Sequence, residues 1–294
     1  MHLPQTKPNL TAKLNRKGVI RLFALRIQGR DRDMPTLGLI GYGAMAGYVA
    51  RNLPAGWQVS HVIVREGRED AARAVLGDCT LLHGFDAGHA PDLMVDCAGH
   101  AGLVAHGPTI LTAGVPVLTA SLGALADDDV RRGLTQAAER GQTQLHLASG
   151  AIGALDALMA AAQGGLENVT YVGRKPPAGW RGTPAEDAGD LDALSGPLEH
   201  FNGSARDAAR RYPRNANVAA AVAIAGLGFD ATQVTLIADP CATGNSHSIT
   251  AQGAFGHFAF DITGHALPDN PRTSALAAMS MLTGIARHSA RIVL

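Results

Sequence analysis

The stretch Thr36-Leu37-Gly38-Leu39-Ile40-Gly41-Tyr42-Gly43-Ala44-Met45-Ala46-Gly47 decides the fold. A short apolar run, Thr36 to Ile40, leads directly into a glycine turn, and a helical pattern, Tyr48 to Leu53, follows. Strand, turn and helix with the spacing G-x-G-x-x-A form a dinucleotide-binding fingerprint in which each position has a physical reason. Gly41 permits the tight turn, Gly43 lets the backbone approach a pyrophosphate, and Ala46 is small enough for the helix to pack closely on the strand. Unpaired N–H groups and the positive dipole end of the helix N-terminus, beginning at Ala44 and Met45, then face the phosphates.

Further along the chain, the same alternation continues. A second strand is expected at Gln58 to Val64, followed by strand Asp92 to Cys97, helix Gly102 to Ala113, strand Val115 to Thr119, helix Asp127 to Arg140 and strand Gln144 to Ala148. Strands alternating with helices imply a parallel, doubly wound sheet of Rossmann type. The residue closing strand two reads the adenosine ribose: a carboxylate binds the 2′-hydroxyl of NAD, an arginine the 2′-phosphate of NADP. Arg65 and Glu66 stand there together, so tolerance of both NAD and NADP is expected. The loops Cys97-Ala98-Gly99-His100, Ala120-Ser121-Leu122-Gly123 and Ser149-Gly150-Ala151-Ile152-Gly153 are rich in small residues, which suits close contact of Ala98 and its neighbours with a flat nicotinamide and ribose. Cys97 reads as a buried strand-end residue rather than a nucleophile.

Composition narrows the function classes. The 294 residues carry 25 basic and 25 acidic side chains, with 46% hydrophobic residues and 35 glycines, enough for two domains and a substantial core. The longest nearly apolar stretch, Val218 to Phe229, is mostly alanine and glycine and falls short of the roughly 18 to 20 residues of a membrane span. Balanced charge provides no basic face for nucleic acid, so neither a membrane nor a nucleic acid is expected as partner, and a small molecule is. Cys79, Cys97 and Cys241 form no C-x-x-C pair, and Asp86, His89, His100 and His106 lack H-E-x-x-H spacing, so no metal site is expected. A reducing cytoplasm fits. Residues 1–33 differ from the remainder: eight basic side chains against two acidic ones read as a basic, disordered extension, with Met34 opening the folded part. Arg21 and Arg26 interrupt the one apolar run, which argues against a secretory signal.

After Ala151 the pattern changes. A helix is expected at Ile152 to Gln163, a strand at Asn168 to Arg174, a polar Pro/Gly stretch through Pro197, and an alanine-rich helix at Asn217 to Ala225. Strands Gln233 to Ala238, Ser246 to Ala251 and His257 to Ile262 follow, the last two alternating as a half-buried antiparallel pair would. A final helix is expected from Pro271 to Arg287, with Pro271 in its first turn, and it can pack back on the first domain. The expected architecture is a dinucleotide-binding domain over 34–150 and an α+β domain over 151–294, whose open sheet face suits subunit pairing.

Four segments carry a resemblance: Gly41-x-Gly43-Ala44-Met45, Ser149-Gly150-Ala151-Ile152-Gly153, Asn215-Ala216-Asn217-Val218-Ala219-Ala220, and Ala238-Asp239-Pro240 followed by Asn245-Ser246-His247-Ser248-Ile249. Together they resemble the L-aspartate dehydrogenase family from about Thr36 to the C-terminus. The resemblance implies reversible oxidative deamination of L-aspartate to oxaloacetate and ammonia through iminoaspartate, with NAD or NADP, in amino-acid metabolism or NAD biosynthesis, by a homodimer. It makes His247 the catalytic residue and places Ala151 and Asn217 at the nicotinamide. The chemistry is consistent: a histidine can take a proton from water attacking an iminium and return one as ammonia leaves. A dicarboxylate also needs cationic or N–H donors. Lys175, the only lysine after residue 33, is a candidate, with Asn245 or Arg174 sharing the role. Other two-domain amino-acid pathway reductases, of the dihydrodipicolinate or homoserine type, and a cofactor-sensing protein without turnover are the alternatives.

Overall fold

A computed structural model describes residues 34–213, 215–267 and 270–293; the expectations for residues 1–33 lie outside it. The first half alternates strand and helix as its periodicity dictates: β1 (Thr36–Ile40), α1 (Ala44–Arg51), β2 (Gln58–Ile63), α2 (Glu69–Leu76), β3 (Thr80–Leu82), β4 (Leu93–Asp96), α3 (His100–Thr112), β5 (Val117–Thr119), α4 (Asp128–Gly141) and β6 (Leu145–Leu147). The strands form one six-stranded parallel sheet in the order β3-β2-β1-β4-β5-β6, the doubly wound dinucleotide-binding arrangement. Helix α1 begins at Ala44, immediately after Gly43, four residues earlier than its apolar pattern suggests.

The second half supplies α5 (Leu155–Gly164), β7 (Leu166–Lys175), β8 (Leu198–Ser204), α6 (Ala205–Arg211), α7 (Asn217–Ala225), β9 (Gln233–Ala238), β10 (Asn245–Gly253), β11 (Gly256–Gly264), β12 (Ala266–Leu267), β13 (Asn270–Ser274) and α8 (Ala275–Ser289). Five of these strands form a mixed sheet in the order β11-β10-β7-β9-β8, in which only β7 and β9 run parallel. Its inner face packs on α5 and on α7, whose Val218 to Ala223 are all buried. Its outer face carries Ser248 and Asp261, hydrogen-bonded to each other across β10 and β11.

One boundary is corrected. Pro271 does not open the last helix; it lies in β13, which pairs with β12, and α8 starts only at Ala275. The reason is local: the chain reverses between β12 and β13, and the ladder pair Ala266–Ser274 holds 270–274 extended up to the N-cap, Ser274. Helix α8 then returns to the first sheet. Met281 and Ile285 are fully buried among Leu37, Leu39 and Val49, and the Gly150 N–H donates to Ser280 Oγ at 3.1 Å. No helix of the described residues is long and apolar enough to cross a membrane.

Candidate active site

The glycine turn has the geometry its sequence requires. Gly41 adopts φ +85°, a left-handed conformation, and a Cβ there would lie 2.9 Å from the Ala98 Cβ, so this position excludes a side chain twice over. Ala98 therefore sits against the turn from the neighbouring loop. A Cβ on Gly43 would meet nothing within 4 Å: the space above it is open, as a pyrophosphate requires. Arg65 and Glu66 are exposed just beyond the end of β2.

A buried carboxylate organises the adjoining loops. Asp96 ends β4, and its Oδ1 accepts from the N–H groups of Ala98 and Gly99 at 3.0 and 3.2 Å. Its Oδ2 accepts from Thr119 Oγ1 at 2.7 Å and Ser121 Oγ at 2.6 Å. Burial raises its pKa above the ordinary carboxylate value while these four donors oppose the shift. The loops after β4 and β5 are thus tied to one point. Cys97, next in sequence, has its thiol pushed well up by burial and by Asp96, so it stays protonated and is no nucleophile.

Asn217, at the start of α7, reaches the same loops from the second half. Its Oδ1 accepts from the Gly123 N–H at 2.9 Å and pairs with His100 Nε2 at 2.8 Å, which leaves its NH2 as the group it can offer a ligand. Ala151 is buried in the loop after β6. The glycine turn, Ala98, Ala151 and Asn217 thus line the carboxyl ends of the parallel strands, where ligands of such sheets bind.

The polar groups of the second half lie on the inner face of the mixed sheet. In the β7–β10 ladder Tyr171 faces Ile249 and Gly173 faces His247, so Tyr171, Gly173, Lys175, Asn245 and His247 share one face by strand alternation. His247 is only 4% exposed, and its Nδ1 lies 2.7 Å from the Tyr171 hydroxyl. Its Nε2 is not among the sealed, unpartnered atoms of the described residues. Burial, and then the nearby Lys175 cation, lower the His247 pKa to about 4. At neutral pH the isolated protein therefore holds this ring neutral. Lys175 donates to Asn215 Oδ1 at 2.6 Å and lies 4.8 Å above the Trp180 ring, and burial lowers its pKa to about 8. No acidic side chain among the described residues pairs with it. Arg174 points to the opposite face, where it pairs with Asp239 at 2.7 Å, so it does not share the role of Lys175.

Asp96 and Tyr171 are not evident from the sequence alone, and Asn215 stands in the quoted Asn215-Ala216-Asn217 segment without a role assigned to it. The available signals are an acidic residue closing the apolar run Leu93 to Val95, and the alternation Val169, Tyr171, Gly173, Lys175 along one strand. The described residues include no cluster of three or more side chains suited to a metal ion.

A Rossmann sheet whose ligand edge meets a second domain bearing a buried histidine and a half-buried lysine defines a class, the two-domain nicotinamide-dependent dehydrogenases. The comparisons are more specific. Residues 156–288 match the family "Aspartate dehydrogenase, C-terminal", and residues 37–148 match "Homoserine dehydrogenase, NAD binding domain". The L-aspartate dehydrogenase of Ruegeria pomeroyi is 56% identical over 262 residues, covering 89% of this chain and 95% of that one. That of Pseudomonas aeruginosa is 44% identical over 257 residues, covering 85% and 96%. The crystal structure of aspartate dehydrogenase from Thermotoga maritima superposes with a TM-score of 0.70 at 24% identity, over 88% of this chain and 99% of that one, a likeness of fold. The chain belongs to the L-aspartate dehydrogenase family.

The four-donor arrangement predicts the effect of Asp96→Asn. The amide keeps the shape but turns an NH2 toward groups that are themselves donors, so we expect a loss of about 1–3 kcal/mol in stability and weaker dinucleotide binding. Thermal unfolding and quenching of NADH fluorescence measure both; unchanged values would show that the loops hold without the carboxylate.

Proposed function

We propose that the protein is an L-aspartate dehydrogenase, converting L-aspartate, water and NAD(P)+ reversibly to oxaloacetate, ammonia and NAD(P)H through iminoaspartate. The observation that carries this reading is Lys175, a half-buried ammonium with no acidic partner among the described residues, on the same sheet face as a buried histidine. A cation so placed is a receptor for a substrate carboxylate. We read residues 34–150 as the dinucleotide-binding domain and 151–294 as the catalytic and dimerisation domain.

The residues present fit a dinucleotide. Gly41, Gly43, Ala44 and Met45 hold the pyrophosphate, Arg65 and Glu66 take the ribose or its 2′-phosphate, and Ala98, Ala151 and the Asn217 NH2 border the nicotinamide. The bound nicotinamide supplies the hydride acceptor or donor for the substrate α-carbon. Lys175 receives one substrate carboxylate and Asn245 adds amide donors. His247 attends the oxygen that enters and leaves the α-carbon, holding or moving a proton at Nε2. An anionic substrate beside Lys175 offsets the cation that helps depress His247, and so eases proton exchange at the moment of reaction. The uncovered outer face of the mixed sheet supports pairing as a homodimer, and the three free cysteines suit a cytoplasmic protein.

His247→Ala is expected to lower kcat by roughly 10²–10⁴-fold while NAD(P)H affinity stays unchanged. Following NADH absorbance with oxaloacetate and ammonium tests this; undiminished turnover removes His247 from the chemistry, and no turnover in the parent protein removes the activity. Lys175 predicts a pH dependence of substrate affinity. Its folded-state pKa of about 8 means the cation is present below that pH and lost above it, so the KM for oxaloacetate should rise as pH passes 8. Lys175→Met should weaken oxaloacetate below pH 8 and abolish this rise; a rise that persists belongs to another group. Arg65→Ala should raise the KM for NADP by about tenfold, the loss of one charge-assisted contact, and leave that for NAD nearly constant. Equal changes for the two cofactors would contradict the ribose assignment.

A further inference from the structure

We infer that Tyr171 is a positioning residue for His247: its hydroxyl fixes the orientation and the tautomer of the imidazole, so that an N–H rather than a lone pair faces the substrate at Nε2. This deepens the reading of His247 given above and rests on it.

The geometry is built into the β7–β10 ladder. Tyr171 pairs with Ile249, so it lies diagonally from His247 on the same face, with the rings 18° from parallel and their centres 6.0 Å apart. Directly opposite His247 stands Gly173. A Cβ there would lie 2.7 Å from the Tyr171 hydroxyl oxygen and 3.2 Å from Leu236, so a side chain at 173 would displace the phenol from the imidazole. The chain leaves that position empty, and the hydroxyl occupies the space at 2.7 Å from Nδ1.

Hydrogen-bond satisfaction selects the proton's place. Tyr171 is 1% exposed, and Nδ1 of His247 is the one hydrogen-bond partner of its hydroxyl among the described residues. If Nδ1–H donated to the phenol oxygen, the phenol O–H would have no acceptor in a buried site, the costlier arrangement. If the phenol donates to Nδ1, both groups are satisfied and the ring proton resides on Nε2. Burial also raises the phenol pKa, so the donor keeps its proton. Protonating the ring would require Nδ1–H and would turn the phenol from donor to acceptor. Tyr171 therefore favours the neutral imidazole, in the same sense as burial.

The groups around the ring leave this assignment undisturbed. On β7 the titratable neighbours are Tyr171 and Lys175; β11 opposes His247 with Ile262; α7 carries no titratable side chain, and Asp156 of α5 is exposed. A neutral Nε2–H is a hydrogen-bond donor for the carbonyl oxygen that gains negative charge as ammonia adds to the carbonyl, and for the same oxygen as ammonia departs in the reverse direction. A phenol that pins the other nitrogen holds that donor ready.

The test uses full-length protein with 15N-labelled histidine. The His247 ring, assigned by its absence in His247→Asn, is expected to show a protonated Nε2, an unprotonated Nδ1 and no titration between pH 5 and 8. In Tyr171→Phe, which keeps the ring and removes the hydroxyl, we expect the Nε2–H preference to be lost and the ring to titrate nearer its ordinary value. We also expect kcat to fall roughly ten- to a hundredfold, less than on removing the imidazole, with NAD(P)H affinity constant. A parent ring protonated on Nδ1, or a Phe variant with unchanged tautomer and kcat, overturns the inference while leaving His247 in place. Full turnover in His247→Ala overturns the reading beneath it as well.

Discussion

The antiparallel pairing of β7 with β10 is the constraint on which the rest of the site depends. Tyr171, Gly173 and Lys175 come from one strand, Asn245 and His247 from the other, and nothing but the ladder brings them to one face. Because side chains alternate across a sheet, a slip of one residue would send the histidine to the outer face and bring Ser246 or Ser248 inside. The register is held on both sides of β7. Val169 and Tyr171 pack inward with Val234, Leu236 and Ile249, all almost fully buried, so a slip would expose a continuous apolar layer. The hydrophobic core of the second half thereby sets the position of its chemistry.

That face is useful only when it meets the cofactor edge of the first sheet, and a few polar contacts fix the meeting. Asn217 joins the start of α7 to Gly123 and His100, loops that Asp96 already ties together through Ala98, Gly99, Thr119 and Ser121. Arg206 of α6 donates to the Ala126 carbonyl and Asp128 on one side and to Asp230 on the other, with its guanidinium over Phe229. Helix α8 closes the circuit by returning to pack on α1 and β5. These directional bonds act together with an apolar core that runs from the first half into the second, and so specify one orientation of the two.

Much of this is legible in the sequence, and what is not has physical reasons. The parallel sheet is readable because strands buried on both faces form continuous apolar runs separated by helical spacing. The strands β10 and β11 are readable from period-two alternation. In contrast, β3 has three residues and β8 follows a polar Pro/Gly stretch, so neither has a run long enough to stand out. The start of α8 is misread because proline at 271 suits a helix N-terminus equally well as an extended segment, and only the pairing of 266–267 with 270–274 decides between them. Within the site, His247, Asn217 and Lys175 carry local signatures. Tyr171 and Asp96 do not: an inward tyrosine on a strand is ordinary core, and its meaning comes from a histidine 76 positions away that the partner strand places diagonally across from it.

The low pKa values of His247 and Lys175 arise from one cause acting on two groups. His247 is buried and Lys175 half-buried, and each would be charged when protonated, so desolvation disfavours both charges, and the Lys175 cation presses further on the histidine. A site of that kind is electrostatically incomplete by itself. It holds one positive charge at neutral pH, supported by an amide oxygen and an aromatic face instead of a carboxylate. A protein carboxylate at that point would have stabilised Lys175 and closed the site to anions. Its absence among the described residues leaves the matching negative charge to be supplied by the ligand, so the affinity for an acidic substrate and the readiness of the neighbouring imidazole to exchange a proton follow from the same burial.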